Sequence, residues 1–69
     1  MEQVYINIKN RRQELGMSQL ELANQIGYTD RSSIAKIETG KVDISLGMLK
    51  KISAALEIDP VELLGWWSE

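Results

Sequence analysis

The chain has 69 residues, 43% of them hydrophobic, with one proline, no cysteine and no histidine. That length holds one domain with a modest core, and the missing Cys and His exclude a disulfide framework, the usual zinc ligand sets and His-based acid–base catalysis. The net charge of −2 argues against a general polyanion binder. The charge is uneven, however: residues 1–41 carry six bases and five acids (+1), and residues 42–69 carry two bases and five acids (−3). A polyanion would meet the first part. The longest apolar run is far too short to cross a bilayer and no signal-peptide pattern opens the chain, so a soluble cytoplasmic protein, a single domain over residues 1–69, is expected.

The apolar periodicity is helical throughout. Tyr5, Ile8 and Leu15 share one stripe of a first helix, and Gly16 stands where a helix-ending glycine would. Ser18-Gln19-Leu20-Glu21 has the spacing of a capping box and opens a second helix with Leu22, Ala23 and Ile26 inward. Gly27 closes it. A third helix is expected from Thr29 or Asp30 as N-cap to Thr39, with Gly40 as its stop. Ser45 caps a fourth, whose stripe is Met48, Leu49, Ile52, Ala55 and Leu56. Asp59-Pro60-Val61-Glu62 opens a short fifth through Leu63 and Leu64. The expected fold is all-α, a compact bundle of five helices.

Two charges interrupt these stripes. Arg12 lies four residues after Ile8 and inside the apolar face of the first helix, and Glu38 lies four after Ile34. A lone buried charge is too costly to keep, whereas a hydrogen-bonded pair is tolerable. Either the two meet and tie the first helix to the end of the third, or both are rim residues whose heads reach water.

The stretch GYTDRSSIAKIETGK, residues 27–41, has only Ile34, Ala35 and Ile37 as its apolar back behind a wholly polar front. A helix, a glycine turn and a second helix form the helix-turn-helix layout. Around it, Gly16-Met17-Ser18-Gln19, Leu22-Ala23, Ile26-Gly27, Ile34 through Lys41, Ile52 through Leu56 and Val61-Glu62-Leu63-Leu64 stand in register. From Ile8 to Leu64 the chain resembles the Cro/C1-type helix-turn-helix family, also called XRE. The resemblance implies a five-helix DNA-binding domain with helices 2 and 3 as the helix-turn-helix, and a pairing of Arg12 with Glu38. It also implies a sequence-specific regulator of transcription, a repressor or controller protein, working as a homodimer on a two-fold symmetric operator.

On that reading the front of helix 3 enters the major groove, with Thr29, Asp30, Arg31, Ser32, Ser33 and Lys36 the candidates for base edges. Arg31 can grip guanine O6 and N7, while Asp30 suits a cap or cytosine N4. Gln19, Asn24, Thr39 and Lys41 are the candidates for phosphates, with Lys9 in addition; Gln19 holds the place of the family's phosphate-contacting glutamine. Six residues separate Gly27 from Ile34 where the family usually has five, which leaves open which of residues 29–33 leads. The dimer contact is expected at Leu64, Trp66 and Trp67, near Met48, since adjacent tryptophans need a partner; folding back onto the chain's own core is the alternative. The different functional class is an antitoxin or other protein-interaction module on the same fold. No cofactor, metal, small-molecule ligand or membrane partner is expected. No enzyme is expected either, because no paired carboxylates and no glycine-rich phosphate loop occur.

Overall fold

The second to fifth helices begin, and all five end, where the sequence supplies partners for end groups that lack them. In the computed structural model, which describes residues 2–65, the helices are α1 (Glu2–Glu14), α2 (Gln19–Gln25), α3 (Ser32–Glu38), α4 (Leu46–Ala55) and α5 (Pro60–Leu64). No strand occurs among the described residues. The expected dimer contact of Trp66 and Trp67 lies outside the described residues.

The three cap signals read from spacing close as local hydrogen bonds. Ser18 Oγ accepts from the Glu21 N–H at 3.0 Å while Glu21 accepts from the Ser18 N–H at 2.7 Å, a reciprocal box. Ser45 Oγ accepts from the Met48 N–H, and Asp59 accepts from the Val61 N–H with Pro60 in the first turn. At the other ends, α1 to α4 stop in the same way. The residue after the C-cap turns left-handed and its N–H bonds back three residues, and the next N–H bonds back five. In α4 that residue is Glu57 at φ 56° rather than a glycine. A side chain in this region costs about 1–2 kcal/mol.

The core is built from Val4, Tyr5 and Ile8 of α1, Leu22, Ala23 and Ile26 at α2, Ile34 and Ile37 of α3, Leu49, Ile52 and Leu56 at α4, and Leu63 of α5. The α1 stripe departs from expectation. Leu15 is 36% exposed, because α1 ends at Glu14 and the left-handed turn at Gly16 swings Leu15 off the inner face; Val4 is buried instead. Helix α3 starts later than expected, at Ser32. Here α2 packs on α3, and α1 packs on both α3 and α5.

Arg12 lies on the inner α1 face and is only 8% exposed. Its Nε donates to Glu38 Oε2 at 2.6 Å and its Nη2 to Glu38 Oε1 at 3.1 Å, a two-pronged ion pair between α1 and the end of α3. Arg12 Nη1 donates to the Met17 carbonyl at 2.8 Å. The Glu38 side chain is 3% exposed. Neither is a rim residue.

Two neighbours on α1 also bond to chain carbonyls at helix ends. Arg11 Nε donates to the Leu56 carbonyl at 2.9 Å and its Nη2 to the Glu57 carbonyl at 3.3 Å. Asn7 donates to the Leu63 carbonyl at 2.8 Å. Thus α1 holds the C-terminal ends of α3, α4 and α5 with three different side chains.

Removing one member of the buried pair strands the other. Arg12→Met or Glu38→Leu alone is expected to cost about 3–5 kcal/mol of unfolding free energy, while the double variant recovers much of that loss. Denaturant unfolding of all four proteins measures the coupling; additive losses would show that the two side chains do not stabilise as a pair.

Candidate nucleic-acid interface

Helix α3 keeps its place through a narrow seam. Ile34 and Ile37, one turn apart, are buried, Ala35 is half-buried, and the opposite side faces water. Thr29, Asp30, Arg31, Ser32 and Lys36 are exposed, and Ser33 is half-buried. The extra residue between Gly27 and Ile34 is taken up by a longer turn over residues 27–31, not by an earlier helix.

Asp30 closes that turn. Its Oδ1 accepts from the Ser32 N–H at 3.1 Å, and its carbonyl accepts from the Ser33 N–H and from Ser33 Oγ at 2.9 Å. It therefore does the work of an N-cap although the regular helix begins at Ser32. The Ser32 backbone and hydroxyl bonds hold the Asp30 carboxyl below its ordinary range against an opposing desolvation, and the nearby positive charges of Arg31 and Lys36 add to the lowering.

These bonds divide the polar front into two sets. The Ser33 hydroxyl proton is engaged with the Asp30 carbonyl, so Ser33 serves the turn. Thr39, the C-cap, directs its hydroxyl at the Ala35 and Lys36 carbonyls at 3.0 and 3.1 Å. Arg31, Lys36 and Lys41 are exposed and form no ion pair among the described residues. With Thr29 and Ser32 they make a neutral-to-basic surface along the outer side of the turn and α3. Asn24 is exposed on α2.

Gln19 is half-buried in the first turn of α2, and its Nε2 donates to Glu38 Oε1 at 3.1 Å. The spacing of residue types does not reveal this bond, because its partners lie on different helices. The position of Gln19 beside the Arg12–Glu38 pair is a product of the α2–α3 crossing.

Gly40 brings α1 against the same end of α3. It sits at φ 74°, and a Cβ there would lie 3.3 Å from the Tyr5 ring. A side chain at this position would meet both backbone strain and a ring.

A sequence profile described as helix-turn-helix matches residues 8–63. The chain belongs to the Cro/C1-type helix-turn-helix family. This helix-turn-helix protein is 38% identical over 55 residues to an uncharacterized HTH-type transcriptional regulator of Methanothermobacter thermautotrophicus, a match covering 80% of this chain and 78% of the relative. Its fold is similar to the crystal structure of the restriction-modification controller protein C.AhdI from Aeromonas hydrophila. The TM-score is 0.81 at 34% identity, covering 88% of this chain and 91% of the other.

The Asp30 cap gives the helix-turn-helix a defined acid response. The native carboxyl is lowered from an ordinary value of 3.8, so the folded state binds its proton less readily than the unfolded chain. Its contribution to stability is complete above the ordinary value and is lost as pH falls through the lowered native one. Between about pH 7 and about pH 3, the denaturant midpoint of Asp30→Asn should therefore fall less than that of the unchanged protein. An equal fall in both would show that the cap is not coupled to folding.

Proposed function

We propose that this protein is a sequence-specific double-stranded-DNA-binding transcriptional regulator, a repressor or controller that binds a two-fold symmetric operator as a homodimer. The observation that carries this is α3 itself. It is a seven-residue helix whose core face is two isoleucines and whose end is pinned by Glu38, with cationic side chains that form no ion pair among the described residues along its exposed front. A helix so thinly attached has little structural use for that front, and the major groove admits one helix whose leading residues touch base edges. The relative and the structural neighbour, a transcriptional regulator and a controller protein, agree with this reading.

Within it, Arg31 is the base-reading side chain of longest reach, with Thr29, Ser32 and Lys36 beside it. Asp30 presents its second carboxylate oxygen as an acceptor suited to cytosine N4 while the first holds the turn. Ser33 and Thr39 act mainly through the turn and the cap that they secure. Gln19, Asn24 and Lys41 are the proposed contacts to the DNA backbone. The charge needed for DNA is local, which reconciles a net charge of −2 with binding a polyanion.

Selection of bound sequences from a random duplex pool tests the reading. Binding should weaken steeply as salt rises, whereas a protein-interaction module on this fold would select no duplex. On the selected site Arg31→Ala should lose about 1–3 kcal/mol and relax preference at one base pair, with a smaller loss on random duplex. Equal losses on both would make Arg31 a phosphate contact.

The homodimer contact is proposed at Leu64, Trp66 and Trp67. Sedimentation of the protein and of a variant ending at Gly65 tests this. The truncated form should run as a monomer at concentrations where the whole chain is dimeric, and an unchanged dimer would remove residues 66–69 from the contact.

A further inference from the structure

We infer that Glu38 is a positioning residue for a DNA-phosphate contact made by Gln19, so that the ion pair which closes the fold also aims part of the DNA clamp. The inference rests on the DNA-binding reading above and adds to it a role for a buried carboxylate that touches no DNA.

Three fixed groups stand in series. The Met17 carbonyl and the two-pronged contact with Glu38 hold the Arg12 guanidinium on three of its nitrogens. That contact holds the Glu38 carboxylate, whose side chain is 3% exposed. Glu38 Oε1 then accepts from Gln19 Nε2 at 3.1 Å. A carboxylate in an ion pair only accepts, so the bond selects one of the two possible amide orientations of Gln19. Nitrogen faces Glu38, and the amide oxygen cannot exchange places with it without facing a like acceptor. One Nε2–H of Gln19 remains after this bond. A phosphate oxygen also only accepts, so this remaining N–H is the donor that Gln19 can offer it.

Gln19 is a long, rotamer-rich side chain that would otherwise be ordered only on binding. Ordering it beforehand removes a cost equivalent to roughly twofold to tenfold in affinity. The arrangement also explains why Glu38 bonds three nitrogens on two other elements when its pairing with Arg12 alone would satisfy the buried charge. The bland alternative is that Gln19 merely ties α2 to α3, with its outer N–H left to water.

The test uses the full chain and its selected duplex with single neutral methylphosphonate linkages, one phosphate at a time. In the unchanged protein, one linkage near α2 should cost affinity, and Gln19→Met should abolish that cost. The Arg12→Met/Glu38→Leu double variant keeps Gln19 but removes its acceptor; there the cost should shrink by roughly twofold to tenfold while preference at the Arg31 base pair is kept. In the free, unchanged protein the Gln19 side-chain amide should be as rigid as the backbone by NMR relaxation, a readout that needs no folded variant. An amide that is mobile when free, or a folded double variant with an undiminished phosphate penalty, would overturn the inference. So would a Gln19→Met protein with the same penalty pattern as the unchanged chain. Failure of the unchanged protein to bind any duplex would overturn the DNA-binding reading along with it, whereas binding with Gln19 indifferent overturns only the role of Glu38.

Discussion

Taking the Arg12 guanidinium and the Glu38 carboxylate out of water costs several kcal/mol for each ion, and their mutual attraction repays this only in good geometry with their other polar atoms satisfied. Both conditions are met. The carboxylate receives three hydrogen bonds, and the guanidinium gives one more to the Met17 carbonyl. No buried side-chain nitrogen or oxygen among the described residues lacks a partner. Such a network tolerates little displacement, so it constrains where α1, the turn after it, the start of α2 and the end of α3 lie relative to one another. The seven-residue α3 is far shorter than an isolated helix that persists in water. Its geometry is set by these outside contacts and by the cap at each end.

The first helix acts as a clasp as well as a core element. Its inner face contributes Val4, Tyr5 and Ile8 to the interior. Its flank sends Asn7 to the end of α5 and Arg11 to the end of α4, where terminal carbonyls lack partners in their own helix. The Arg11 cation also suits the negative end of α4. The Arg11 bonds fall on Leu56 and Glu57, the place where the chain accepts a left-handed residue that is not glycine. The strain at Glu57 is thus bracketed by contacts that hold the turn.

Local features are legible in the amino-acid order itself. The cap at Ser18, the cap at Ser45 and the Asp59-Pro60 start each depend on residues within three positions of one another, so spacing alone reveals them. The Arg12–Glu38 pair is legible for a different reason: each charge sits in the wrong place on its own helix, and the resemblance to a family that pairs these positions resolves the choice. The α2 and α4 faces follow from the apolar period. What escapes depends on crossings between helices. The bonds of Asn7, Arg11 and Gln19 join residues 56, 45 and 19 positions apart, and nothing in the local pattern distinguishes these side chains from ordinary exposed polar ones. The start of α3 escapes because an Asp at one position and a Ser two residues on satisfy a turn as well as a helix. Leu15 is misplaced by periodicity because the helical repeat, carried one residue past the helix end, no longer describes the chain.

The two-isoleucine seam of α3 has a consequence for how such a domain can change. Thr29, Arg31 and Lys36 have no core obligation, so exchanging them alters one solvated side chain for another, and surface exchanges of that kind usually move stability by no more than about 0.5 kcal/mol. Asp30, Ser32 and Ser33 lie among them but belong to the turn, and are not free in this sense. The proposed reading face is therefore a mosaic in which interchangeable positions lie among fixed ones. On the proposed reading, drift in the interchangeable positions carries the protein from one target sequence to another along a path on which every intermediate still folds.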